Sequence, residues 1–336
     1  MVIALTPGDP EGIGPEIVLK TLLNRTFMRT LPRHLRLVVV GSPTPFERLG
    51  APIEIMNESD LGDIPQDQKK VRILAPPQPI PRRSKRFSIP GYVSGWAIEK
   101  ATKLALQGSV AALVTGPISK ERLQAGGYPF PGHTEMLAAL CRRKAVTMML
   151  ANEQLRISLV TTHLPLNKVS RAITPQEITR AVEHTAEALL NNWRISRPKI
   201  AVAALNPHAG EGGLFGTEET RIIQPTIQRL RRSNPGILLE GPLPADTLFA
   251  KNAAARMPER YDAVICMYHD QGLIPVKLLD FPRTVNVTLG LPIIRTSVDH
   301  GVAFDIAGKG SADPSSFQSA LRMACAMVEG RQENRR

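Results

Sequence analysis

Three of the seven histidines in this chain of 336 residues share one setting. The apolar run Leu155–Thr162 leads into His163-Leu164-Pro165-Leu166. Lys199–Leu205 leads into Asn206-Pro207-His208-Ala209-Gly210-Glu211. Tyr261–Cys266 leads into Met267-Tyr268-His269-Asp270-Gln271-Gly272. Each run has strand length and stops abruptly at polar residues. Open α/β sheets put their ligands at the carboxyl ends of strands. Three imidazoles delivered in this way match an open catalytic divalent-metal site, whose remaining positions belong to substrate. Three unrelated loop histidines are the plain alternative. Asp270, beside His269, can ligate, act as base, or orient the ring. A satisfied polar pair is equally open there. Gly272 is expected to let the backbone turn.

A second group is suited to anions. Lys277 offers a point charge and Arg295 a bidentate fork, with Asn286 between them in sequence. Both cations suit carboxylate or phosphate. Surface salt bridging is the alternative, although Arg295 ends an apolar run, where an unpaired guanidinium is costly. Gly210–Gly216 misses G-x-G-x-x-G by one position. It follows a strand and precedes a helix capped by Thr217, so an anion-binding loop stays open. No other stretch gives that fingerprint or a P-loop. His184 lies off the apolar stripe of its helix and His34 in a basic loop, so both read as solvated.

The elements that must position these residues alternate. Met1–Leu5, Leu35–Val40 and Ala111–Val114 read as strands, and Tyr92–Leu106 as a helix. Thr6–Glu16 is a Gly/Pro-dense loop leading into a helix from about Pro15. Gly126–Glu135 opens another helix. Thr174, Pro175 and Glu177 make a capping box. Asp313-Pro314-Ser315-Ser316 caps the last helix, through Leu321, Ala324 and Val328. Met56–Pro90 reads as irregular. Strands alternating with helices predict an α/β protein with largely parallel pairing, and the length suits two domains.

The formal charge is +12, but aromatics are 4% of residues, so stacking platforms for nucleic acid are scarce. The clusters Arg82–Arg86, Arg229–Arg232 and Arg335-Arg336 read as solvated basic surface. Such a field also attracts anionic metabolites. Cys141, Cys266 and Cys325 are far apart, without C-x-x-C, which suits a reducing cytosol. The first residues lack a basic n-region, and no apolar run approaches membrane-spanning length. A cytoplasmic protein without nucleic-acid or membrane partners is expected.

Further stretches carry a resemblance: Thr6-Pro7-Gly8-Asp9-Pro10-Glu11-Gly12-Ile13-Gly14-Pro15-Glu16, Gly132-His133-Thr134-Glu135, Gly241–Thr247 and Arg295-Thr296-Ser297-Val298-Asp299-His300-Gly301. With the histidine motifs they resemble the 4-hydroxythreonine-4-phosphate dehydrogenase family of pyridoxal phosphate biosynthesis. Only the region from Met56 to Pro90 is unmatched. The resemblance implies an α/β fold like isocitrate and isopropylmalate dehydrogenases, with two α/β/α domains and a cleft between them. Residues 1–130 with 278–336 would form the first domain, and 131–277 the second, with the metal histidines and the dimer interface. The NAD loop would be His300–Gly310, using His300, Gly301, Asp305 and Gly308, although isocitrate-type enzymes usually have Pro where Phe304 stands. NAD is expected rather than NADP. His163, His208 and His269 would hold zinc, magnesium or cobalt in a site shared between the subunits of a homodimer. His133, Thr134, Lys277, Asn286 and Arg295 would bind substrate. Asp246 and Asp270 are the candidates for taking the proton and orienting the ligands. The implied reaction oxidises 4-phosphooxy-L-threonine to a β-keto acid, which loses CO2 to give 3-amino-2-oxopropyl phosphate. A sister group acting on phospho-D-threonate or phospho-D-erythronate is the alternative.

Overall fold

A computed structural model describes residues 1–65, 69–80, 88–257 and 259–333. The cluster Arg82–Arg86 and the final Arg335-Arg336 lie outside the described residues. In chain order the strands are β1 (Val2–Thr6), β2 (Arg36–Val40), β3 (Ile53–Ile55), β4 (Val71–Leu74), β5 (Ala112–Thr115) and β6 (Thr147–Ala151). They continue as β7 (Arg156–Leu159), β8 (Lys199–Ala203), β9 (Leu238–Leu243), β10 (Ala263–Cys266), β11 (Val285–Leu289) and β12 (Ile294–Ser297). The chain forms two compact units. One is Met1–Ala145 with Leu291–Val328, and the other is Val146–Gly290 with the chain from Glu329.

In the first unit the strand order is β3-β4-β2-β1-β5-β12, and every pairing is parallel. β1, β2 and β5 are near-continuous apolar runs, as strands covered on both faces must be. The helix Ile89–Leu106 lies against β1, β2 and β5. The helix beginning at Ser315 lies along β12, where Thr296 Oγ1 donates to the Ala320 carbonyl at 2.8 Å. Asp313 caps that helix as expected, accepting the Ser315 amide at 2.9 Å. β4 corrects the expectation of an irregular Met56–Pro90. Val71, Ile73 and Leu74 are buried, and pairing with β2 and β3 makes a strand of a four-residue run that has no periodicity of its own.

In the second unit the order is β11-β6-β7-β10-β8-β9. β11-β6 and β6-β7 are antiparallel, and the rest are parallel. Side chains alternate across this sheet with period two. Ile200, Val202 and Ile265 join one core cluster with Ile178, Val182 and Leu189 of the helix Pro175–Asn191. Ala201, Ala203, Val264 and Cys266 join another with Leu273 and Val276 of the helix His269–Asp280. Helices on both faces leave the strand ends as the exposed edge of the layer.

Two local expectations are corrected here. Thr174 Oγ1 accepts the Glu177 amide at 3.3 Å, but the Glu177 carboxylate turns to Arg180 at 2.5 Å instead of closing the capping box. Gly272 lies inside a helix, not at a turn. A Cβ there would stand 2.8 Å from Ile157 Cδ1 and 2.9 Å from Cys266 Sγ, so glycine lets the helix seat on its own sheet.

Candidate active site

The second unit brings His163, His208 and His269 to one sheet edge. β10 lies between β7 and β8 and is parallel to both, so all three carboxyl ends point the same way. The pairing of β7 and β10 continues past their ends. The Val160 amide reaches the Cys266 carbonyl at 2.9 Å, and Thr161 Oγ1 reaches the Met267 carbonyl at 2.7 Å. This zipper carries His163 and His269 together, with ring centroids 5.6 Å apart. On the other side Gln271, which the sequence reading overlooked, bridges β10 to β8. Its Oε1 accepts the Met267 amide at 2.7 Å, and its Nε2 donates to the Ala204 carbonyl at 2.6 Å. His208 follows β8.

The ring nitrogens are differentiated. His269 Nδ1 lies 2.6 Å from Asp270 Oδ1, and His208 Nδ1 lies 3.1 Å from Glu211 Oε2. A carboxylate at Nδ1 fixes the proton there and leaves the Nε2 lone pair for a metal. This arrangement fits divalent-metal ligation at both residues. Among the described residues, no three His, Cys, Asp or Glu side chains gather as a metal-sized group. Within one chain the histidines therefore stand as a close pair and a separate third.

His208 stands on strained backbone. The expected helix after Gly216 is not capped by Thr217; it begins as a π-helical turn, Glu219–Ile223. Before it, His208, Ala209, Gly210, Glu211 and Gly212 have φ of 51, 55, 82, 43 and 66°. The left-handed region costs a non-glycine residue about 1–2 kcal/mol. His208 is also edge-on to Phe215, with centroids 6.2 Å apart.

Asp246 is exposed in the first turn of the helix Ala245–Ala254. Lys277 is half-buried with Nζ 5.3 Å from the Phe281 ring centre. Asn286 lies on β11, and its Oδ1 is buried without a hydrogen-bond partner among the described residues. His184 is not solvated. Its Nδ1 is 3.0 Å from Thr147 Oγ1, and the ring fills the space where a Cβ on Gly290 would stand 2.4 Å away. The stripe of its own helix could not reveal that neighbour.

In the first unit Arg295 is buried inside β12. Its Nε and Nη2 donate to Thr115 Oγ1 at 3.1 and 2.9 Å, and burial lowers its pKa to about 9, still charged at neutral pH. His133 opens the helix His133–Leu140, followed by half-buried Thr134. Burial, then the Arg295 charge, hold the His133 pKa well below 6.5, so its ring is neutral. His133 Nε2 is buried without a hydrogen-bond partner among the described residues. A neutral imidazole beside a buried guanidinium suits an anionic group.

The loop containing His300, Gly301, Asp305 and Gly308 is tied to the helix Gly14–Leu23. The Ile13 amide donates to the Val302 carbonyl at 2.9 Å. Glu16 accepts the amides of Ala312 at 2.9 Å and Gly310 at 3.3 Å. Lys20 Nζ donates to the carbonyls of the same two residues at 2.6 and 2.8 Å. Burial alone would raise the Glu16 pKa, but the hydrogen bond from Lys20, the two amides and the Lys20 charge outweigh it and leave it lowered. Arg122 lies 4.3 Å over the Phe304 ring and pairs with Glu11 at 2.6 Å and Asp9 at 3.3 Å. His300 Nδ1 lies 3.0 Å from the Gly301 carbonyl.

Residues 36–324 match the family described as pyridoxal phosphate biosynthetic protein PdxA. A 4-hydroxythreonine-4-phosphate dehydrogenase from Paracoccus denitrificans is 44% identical over 336 residues, covering 98% of each chain. A Bradyrhizobium diazoefficiens protein, provisionally named a D-threonate 4-phosphate dehydrogenase, is 42% identical, covering 98% of this chain and 97% of its own. The crystal structure of a 4-hydroxythreonine-4-phosphate dehydrogenase from Klebsiella pneumoniae superposes with a TM-score of 0.85 at 38% identity, covering 97% of this chain and 98% of that one. An isocitrate dehydrogenase from Methylococcus capsulatus shares the fold, with a TM-score of 0.50 at 15% identity over 99% of this chain and 87% of its own.

Proposed function

The chain belongs to the PdxA family and is an oxidoreductase of the 4-hydroxythreonine-4-phosphate dehydrogenase kind, and from that premise we propose a divalent-metal-dependent, NAD-dependent reaction on 4-phosphooxy-L-threonine in vitamin B6 biosynthesis. The hydroxyl-bearing carbon is oxidised to give 2-amino-3-oxo-4-phosphooxybutanoate. This β-keto acid loses CO2 to give 3-amino-2-oxopropyl phosphate. The observation that carries the reading is the delivery of His163, His208 and His269 from three adjacent parallel strands to one sheet edge, with two rings 5.6 Å apart.

His163, His208 and His269 would hold zinc, magnesium or cobalt. A pair and a separate third in one chain are consistent with a site shared between the subunits of a homodimer. When bound, the metal would supply Lewis acidity toward the substrate oxygens, and the nicotinamide would supply the hydride acceptor. The residues of the chain do the rest. Asp270 keeps the proton of His269 on Nδ1. Asp246 or Asp270 takes the hydroxyl proton. In the first unit, Arg295 with neutral His133 and Thr134 takes an anionic group of the substrate. In the second, Lys277 and Asn286 contact the substrate. The loop carrying His300, Gly301, Asp305 and Gly308 takes the NAD. The protein acts in the cytoplasm, without nucleic-acid or membrane partners.

A second reading rests on the Bradyrhizobium relative, whose name points to D-threonate 4-phosphate. Rates of NADH formation separate the two. 4-Phosphooxy-L-threonine should give the higher kcat/KM than phospho-D-threonate and phospho-D-erythronate. A higher value for either D-acid would overturn the substrate assignment.

A further inference from the structure

The turn that carries His208 closes over a buried carboxylate. Five successive residues, His208 to Gly212, have positive φ, and three of them are not glycine. Such backbone persists only where its surroundings over-determine it. Here the surroundings centre on Glu219, which is 2% exposed. Its Oε1 accepts the amides of Leu205 and Asn206 at 2.8 and 2.7 Å, the last steps before the turn. Its Oε2 accepts Asn206 Nδ2 at 2.9 Å. Gly210, at φ +82°, comes so near that a Cβ would stand 2.9 Å from Glu219 Oε2. Among the described residues Glu219 makes no ion pair, so N–H donors alone satisfy it. A buried carboxylate without a cation is poor stabilisation for its own sake. Three converging donors do require an acceptor-only group, and glutamine would turn a donor toward donors.

The network reaches further. Asn206 Nδ2 also donates to Glu218 Oε2 at 2.8 Å, and Glu218 Oε1 accepts Ser170 Oγ at 2.5 Å. Ser170 lies on the helix Leu166–Ala172, which follows His163. The segments carrying two of the three histidines are therefore tied through one chain of hydrogen bonds.

We propose that Glu219 is a positioning residue that fixes the left-handed turn of His208 and so sets where that imidazole presents Nε2 to a divalent cation. This rests on the metal reading given above. Glu219 touches no reactant; it acts through Asn206 and the backbone of the turn.

The test is titration of the metal-free full chain with Co2+, read by the visible absorption band and by affinity, beside NAD binding and thermal melting. His208→Ala, Glu219→Gln and Gly210→Ala are compared with the unaltered protein. Glu219→Gln should weaken Co2+ by about 10–100-fold, as loss of a ligand's support does, and should shift the band. NAD affinity should not change. Gly210→Ala pushes the turn off the carboxylate and should do the same, with less than additive effect in the double variant. If His208→Ala weakens Co2+ while Glu219→Gln binds with the original affinity and band, the positioning role is overturned. Should Glu219→Gln fail to fold, Gly210→Ala decides by the same criterion. Unchanged Co2+ binding in His208→Ala would instead overturn the metal reading itself.

Discussion

Glu16 and Glu219 are both buried carboxylates that accept backbone amides, and they hold loops of opposite character. Glu16 accepts two amides of the glycine-containing loop of the first unit and shares it with Lys20, 2.9 Å away. That loop takes positive φ mostly at Gly308 and Gly310, with Ala303 the exception at 41°. Among the described residues Glu219 is satisfied by N–H donors alone, beside a turn where His208, Ala209 and Glu211 all have positive φ. On the proposed function, the difference follows from what each loop would present. A loop that offers backbone groups to a ligand can use glycine and keep strain low. A turn that would offer the His208 imidazole cannot use glycine at that position, because glycine has no side chain. Strain stays at the second site and has to be held from outside.

The largest expected effect breaks the strained side of this comparison. His208→Ala should lower kcat by about a thousandfold or more, since Lewis-acid stabilisation is worth several kcal/mol. His208→Gly should be as inactive yet melt higher, by up to about 1 kcal/mol of stability, because glycine accepts φ near 51° without strain. Equal or lower stability in the glycine variant would remove strain from the account. Next comes Arg295→Lys, which keeps charge and loses the fork. A loss of about tenfold to a hundredfold in kcat/KM is expected, from charge-assisted hydrogen bonds worth about 1.5–3 kcal/mol. An unchanged kcat/KM would make Arg295 structural.

Glu16→Gln probes the low-strain side. It should destabilise the first unit by about 1.5–3 kcal/mol at neutral pH, the worth of hydrogen bonds to a charged group. The folded pKa of Glu16 lies below its unfolded value near 4.5. Its ionised form therefore stabilises the fold above that value, and the contribution fades as pH falls through the lower folded pKa. Urea melts should show the variant and the parent converging in acid. A gap that widens in acid would contradict the assignment. The smallest effect is Thr174→Ala, remote from both loops. Loss of the cap should cost about 1 kcal/mol and leave kcat unchanged.

Much of this was legible because the signals are local. Apolar runs that stop at His163, His208 and His269 announce strand ends, and Thr174 announces a helix start. What stayed hidden is non-local. No periodicity tells that β10 lies between β7 and β8, or that two of the histidine rings approach. Glu219 reads as an ordinary acidic residue at a helix start until the turn folds over it. His184 misleads for the same reason, since the atoms that bury it belong to Gly290 and Thr147, far along the chain.

The central claim, that the three histidines hold a metal needed for turnover, has one direct test. NADH formation from 4-phosphooxy-L-threonine is measured on the full chain before chelation, after exhaustive chelation, and after re-addition of Zn2+, Mg2+ or Co2+. Activity should vanish on chelation and return with at least one cation, and His208→Ala should not recover. Undiminished NADH formation in the chelated protein would contradict the account.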